Sequence, residues 1–157
     1  VLEHLPNHFA TMKEVARIIR PGGSLILTTP NMARIHSRLS FLLTGAHKII
    51  QRRIGWDTDI SRLHEFHINT LCFPTFHALL HLLGFSICSI RFTRVKKRHL
   101  ALLLLYPFIW LASVREYCFP LGSSLHAKGE ADLFKKMTSL PMLCSEQLLI
   151  VARKAQG

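Results

Sequence analysis

Histidines and arginines carry most of the reactive potential in this sequence. His64 and His67 flank Glu65, and His77 and His81 stand one helical turn apart. Two imidazoles at that spacing on a helix can face one zinc ion. The metal reading fails on the neighbours. Ala78 occupies the place where an H-E-x-x-H helix carries its Glu, and no convincing third ligand follows. With 10 His among 157 residues, such a pair arises by chance. No metal is expected. Arg34, Arg38, Lys48, Arg52 and Arg53 offer a second chemistry. They suit phosphate or acidic lipid head groups, or simply a solvated helix face.

The four cysteines, Cys72, Cys88, Cys118 and Cys144, are widely spaced and form no C-x-x-C pair. That pattern argues against a disulfide framework or a four-cysteine zinc site. Reduced, mostly packed thiols are expected, in a cytoplasmic setting.

Charge sets the class of partner. The chain has 20 Lys+Arg against 9 Asp+Glu, a formal charge of +11. No acid occurs from Val15 to Trp56, nor from Phe66 to Arg115. Long acid-free stretches favour an anionic partner. Nucleic acid is the weaker candidate, because the charge is interleaved with apolar sequence and no zinc-finger spacing or RNA-binding aromatic signature is present. At 49% hydrophobic and 18% charged, the chain is not of the disordered class.

The elements that must position these groups follow from periodicity. Val1–Leu5 reads as the end of a buried strand and the loop after it. Asn7 can cap a helix whose apolar residues are Phe9, Met12, Ala16 and Ile19. Pro21 and the pair Gly22-Gly23 end it. Ser24–Thr29 is short and apolar, as a strand buried on both faces would be. Met32–Leu43 reads as helix, and Thr44–Leu63 as a loop or lid. Pro74–Leu83 is a strong helix, with Phe76, Leu79, Leu80 and Leu83 on one face and Gly84 at its end. Phe85–Phe92 and Gln147–Ala152 read as strands.

Between those strands, Arg91, Arg94, Lys96, Lys97 and Arg98 precede Leu100–Val114, a run of 15 residues without charge and broken by Pro107. A bilayer span needs about 20 apolar residues. With Tyr106 and Trp110 in the run, the segment Arg91–Val114 suits a helix lying in the interface of an anionic membrane. A buried helix and a true span are the alternatives.

The succession Val1-Leu2-Glu3-His4-Leu5, helix, Arg20-Pro21-Gly22-Gly23, then Leu25-Ile26-Leu27-Thr28-Thr29-Pro30-Asn31 resembles the C-terminal half of class I S-adenosylmethionine-dependent methyltransferases of the small-molecule type. His64–Asn69, Gly84-Phe85 and Leu148–Ala152 are similar to the family's later segments. The resemblance covers 1–31, 64–92 and the C-terminus, and is weak over 93–145. It implies an α/β fold, a partial Rossmann-like sheet holding strands four to seven, the last of them antiparallel. Residues 1–157 are then the C-terminal portion of such a domain, with 93–145 an apolar and basic insertion between the last two strands.

Ligands of open α/β sheets bind beyond the carboxyl ends of strands. The resemblance therefore implies that Leu2, Glu3 and His4 border S-adenosylmethionine, and that Thr29, Asn31, His64 and His67 face the acceptor. His4 would orient the acceptor or take its proton, or only line the cleft. His64 and His67 would otherwise belong to a surface turn. One departure matters: the family's glycine-rich nucleotide loop has no counterpart, since no G-x-G occurs. The expectation is a methyltransferase piece that binds the cofactor poorly by itself and is marginally stable. Its acceptor is expected to be small or lipid-linked, at the inner face of a membrane. The alternative is a non-catalytic basic module that binds a membrane surface or a partner.

Overall fold

The side chain of Asn7 starts the first helix, accepting from the Ala10 backbone N–H at 2.9 Å. This is the cap its position predicts. The structure, a computed structural model, describes residues 2–48, 57–65, 70–92, 97–118 and 127–156. Helix α1 runs His8–Ile18. It buries His8, Met12 and Ala16, whereas Phe9 is exposed. Met12, Ala16 and Ile19 face the core as expected; Phe9 does not, and His8 takes the inward place in the first turn.

The Arg20–Gly23 turn then reverses the chain. Gly22 adopts φ +75°, which a side chain resists. At Gly23 the constraint is space. A Cβ there would stand 2.7 Å from Ile19 Cγ2 and 2.8 Å from the Arg20 carbonyl oxygen. The turn is pinned from the far end of the chain, where Lys154 Nζ donates to the carbonyls of Ala16 and Ile19 at 2.5 and 2.8 Å. A cation on the last carbonyls of α1 satisfies groups the helix leaves open.

Strand β1 is Ser24–Pro30, β2 is Phe85–Phe92 and β3 is Gln147–Lys154. They form one three-stranded sheet in the order β1-β3-β2. The last strand lies between the other two and runs antiparallel to both. Leu27 pairs with Ile150 on one side, and Ile90 with Ile150 on the other.

Helices α2 (Ile35–Thr44) and α3 (Phe73–Leu82) lie between β1 and β2 in the chain. Pro74 occupies the first turn of α3, and Gly84 at φ +77° follows its end. Between β2 and β3 lie a 3-10 segment at Lys97–Leu105, α4 (Tyr106–Cys118), α5 (Ala127–Met137) and the short α6 (Leu140–Cys144).

The core lies on one face of the sheet. Met12 and Ala16 from α1 meet Phe76, Leu79 and Leu80 from α3 over Leu148, Ile150 and Ala152 of β3. Alternation along β3 sends those three inward, as period-two geometry requires. The chain is thus α/β with a small antiparallel sheet and several helices.

Three expectations are corrected. The described residues hold three strands where four were expected: Leu2–His4, read as a strand end and the loop after it, form a 3-10 turn beside β1, and Val1 lies outside the described residues. Strand β1 is not buried on both faces: it alternates, and Ile26 is 66% exposed. Among the described thiols most are not packed, for Cys144 is buried while Cys72 and Cys88 are exposed.

Candidate functional site

The residues expected to face ligands divide into three groups. Glu3 and His4 sit on the 3-10 turn packed beside β1. His4 Nε2 lies 3.9 Å from Glu3 Oε1, with the His4 side chain 34% exposed and that of Glu3 12% exposed. The carboxylate is therefore sheltered, and the imidazole is the more exposed of the two. Leu2 shares the turn.

Thr29, near the end of β1, lines a narrow crevice with Met32, Leu71, Phe73 and Leu148. Leu71 also lines a wider groove of about 470 Å³, whose walls come from Pro6–Phe9 and from Thr75, Ala78, Leu79 and Leu82 of α3. Leu71 thus joins the end of β1 to a groove between α1 and α3. The groove's size is within the range of small-molecule sites. Sequence reasoning missed Leu71, Phe9 and Thr75 as lining residues. The legible signal was Pro6-Asn7, which starts α1 and so forms a rim.

Asn31 is placed otherwise than expected. It is fully buried. Its side-chain amide donates to the Met142 carbonyl at 2.6 Å, and to the Ser145 carbonyl and Oγ at 3.0 and 3.2 Å. Its Oδ1 accepts from the Ala33 N–H at 3.0 Å. Every polar atom of that side chain is spent on the fold, so Asn31 is a structural tie and does not face an acceptor. The backbone of His64 belongs to a 3-10 segment, Ile60–Glu65. Its side chain and all of His67 lie outside the described residues, as do Arg52 and Arg53.

The arginines of α2 are structural too. Arg34 is 9% exposed and reaches Glu146 Oε1 and the Lys48 carbonyl, each at 3.4 Å. Arg38 donates to the Ala33 carbonyl at 2.6 Å and to the Met137 carbonyl at 2.8 Å. Burial lowers its pKa, while nearby Tyr117 opposes that shift. Neither a solvated face nor a head-group site describes them. Both tie α2 to the segment leading into β3.

His77 Nε2 meets Asp132 Oδ2 at 3.2 Å, which joins α3 to α5. Lys136 approaches the same carboxylate oxygen. Burial works to raise the Asp132 pKa, but the Lys136 ammonium and the His77 ring outweigh it and hold the group below its ordinary value. His47 stacks on Phe41 at 4.5 Å between ring centroids, its Nδ1 3.1 Å from Ser37 Oγ. Burial lowers its pKa. Ser37 is fully buried and therefore out of reach as a nucleophile. Among the described residues no three His, Cys, Asp or Glu side chains converge as metal ligands.

The turn of Glu3 and His4 fits the rim of a cofactor site and no more. A carboxylate there can accept from a hydroxyl or an ammonium group. The backbone N–H cradle of a glycine-rich loop is not encoded, since the sequence holds no G-x-G. In comparisons with known proteins, no family model matches the chain and no curated protein gives a significant match.

Proposed function

We propose that this chain is the acceptor-side portion of an S-adenosylmethionine-dependent methyltransferase that acts on a small or lipid-linked molecule. The observation that supports this most is strand β3, which runs antiparallel to both β1 and β2. An antiparallel last strand is what the resemblance implies. The segments Arg20–Gly23 and Thr29–Asn31 support it too, since they bound β1 where the resemblance places them.

S-adenosylmethionine supplies an electrophilic methyl group in such enzymes. This chain supplies the surroundings of the acceptor. His4, with its side chain 34% exposed and the sheltered Glu3 carboxylate beside it, would orient an acceptor hydroxyl or take its proton. The groove between α1 and α3 would hold the apolar body of the acceptor, with Thr29 in the narrow crevice beside it. Positioning carries much of such a displacement, because aligning two reactants removes a large entropic barrier.

The test is methyl transfer by the polypeptide that includes the missing glycine-rich loop. Incubation with methyl-labelled S-adenosylmethionine and a lipid extract should carry label into the organic phase. His4→Ala should lower the rate at least about tenfold. No label in lipid or small-molecule fractions would reject the proposal.

A second reading, a non-catalytic basic module, draws on the +11 charge and the exposed apolar face of α4. It predicts membrane or partner binding with no methyl transfer in any fraction.

A further inference from the structure

Helix α4 has two unlike faces. Ser113 and Tyr117 lie toward the protein, and Trp110, 44% exposed, lies at the edge of that face. Trp110 meets the Phe134 ring of α5 edge-on at 6.2 Å, Ser113 is buried, and Tyr117 packs against the core. At 100° per residue the opposite face carries Phe108, Leu111 and Arg115. Phe108 is 71% exposed and Leu111 64%. Leu104, in the 3-10 segment just before, is 83% exposed. Helix α2 packs against that 3-10 segment and ends in Leu42 and Leu43, also exposed. Apolar side chains this large, gathered on adjoining elements, mark an interaction surface.

Charge selects what covers it. Arg91, Arg94, Lys96, Lys97 and Arg98 precede the segment in sequence, Arg115 closes its outer face, and no acid occurs between them. An exposed apolar face that carries Arg115 and follows a basic run in the sequence complements an anionic lipid bilayer. The window Leu100–Tyr117 is long and apolar enough to be a candidate span. The packing argues against spanning. Along its inner face α4 is committed to α5, which carries Asp132, Lys135 and Lys136. Lipid cannot surround a helix flanked by a charged one at the same depth without a large desolvation cost.

We infer that Leu104, Phe108 and Leu111, with Arg115 on the same face and the Arg91–Arg98 cluster preceding them in sequence, form a one-sided docking surface for an anionic membrane, with α4 lying in the plane of the interface. The aliphatic stem of Arg115 extends the apolar strip, and its guanidinium reaches lipid phosphate. This inference stands apart from methyl transfer, since it uses no cofactor and no residue of the candidate site.

The test is flotation of the 157-residue chain with vesicles. One set is phosphatidylcholine alone, and the other holds equal parts phosphatidylcholine and phosphatidylserine. The chain should float with the mixed vesicles and bind the neutral ones at least about tenfold more weakly. It should come off in an alkaline carbonate wash, as a surface-bound protein does. The triple variant Leu104→Ser, Phe108→Ser, Leu111→Ser should lose at least about tenfold in binding with its circular dichroism unchanged. The variant Ile18→Ser, which removes an exposed apolar side chain from α1 away from the groove, should float like the parent. Absence of flotation with mixed vesicles would overturn the inference. So would resistance to carbonate, equal binding by the triple variant, or equal loss in Ile18→Ser. A dimer in sedimentation that the triple variant dissociates, with no flotation, would assign the face to a second copy instead.

Discussion

The side-chain amide of Asn31 lies 2.6 Å from the carbonyl oxygen of Met142, residues separated by 111 positions in sequence. This contact fastens the end of β1 to α6 and so to the start of β3. Backbone pairing continues the tie, since the Asn31 N–H donates to the Glu146 carbonyl at 3.0 Å. Asn31→Ala would leave the buried Met142 and Ser145 carbonyls without this donor. An unsatisfied buried polar group costs about 1–3 kcal/mol. The variant should therefore lose roughly 2–4 kcal/mol in urea unfolding. A loss under about 0.5 kcal/mol would show that the contact contributes little.

Gly23 is a second sensitive point. Gly23→Ala would press a Cβ to 2.7 Å from Ile19 Cγ2 and 2.8 Å from the Arg20 carbonyl. The turn must open, which strains the bond from the Lys154 N–H to the Gly23 carbonyl, now 2.9 Å. We expect a loss of roughly 1–3 kcal/mol, read as a fall in urea midpoint with little change in slope. Gly45, with open space around it, is the control for a second position. Its φ of +67° makes Gly45→Ala costly through backbone conformation alone, about 1 kcal/mol.

Asp132 predicts a pH dependence. Its folded pKa lies below the ordinary value of 3.8. The unfolded chain thus takes up a proton on this carboxylate before the folded chain does. The contribution is present above the ordinary value and is lost as pH falls through the folded one. Below pH ~4, the parent should lose stability more steeply than Asp132→Asn, which has no such proton to bind. Paired urea melts at pH 3 to 6 read this directly. Parallel curves for the two proteins would show that the bonds to His77 and Lys136 do not outlast solvent exposure.

Much of this fold was legible locally. Asn7, Pro74 and Gly84 mark helix ends because capping is a matter of a few neighbouring atoms. The strands at 24–30, 85–92 and 147–154 were legible because apolar runs between turns have few other uses. What the sequence hid was tertiary. No local rule says that Asn31 is consumed by Met142 and Ser145, or that Arg38 ends on the Met137 carbonyl. The exposure of Phe9 has the same origin. A buried His8 is permitted once a neighbour meets its polar atoms, and hydropathy alone cannot see that neighbour. Leu71 escaped notice because a groove is defined by what surrounds it, here α1 and α3 together.

The face of α4 shows both sides of this. Its apolar run and basic flank were plain in the residues, yet three placements fitted them: interfacial, buried or spanning. In the structure Trp110 touches the Phe134 ring and is itself 44% exposed, and Phe108 and Leu111 are more exposed still, so the helix is not buried all round.

The proposed methyltransferase reading is tested most directly by calorimetric titration of S-adenosylmethionine. The account predicts no measurable stoichiometric binding to the 157-residue chain, and stoichiometric binding once a strand and glycine-rich loop are joined in frame from the upstream coding sequence. Tight one-to-one binding by the 157 residues alone would contradict the placing of the cofactor cradle outside this sequence. Failure of the extended polypeptide to bind would contradict the methyltransferase reading itself.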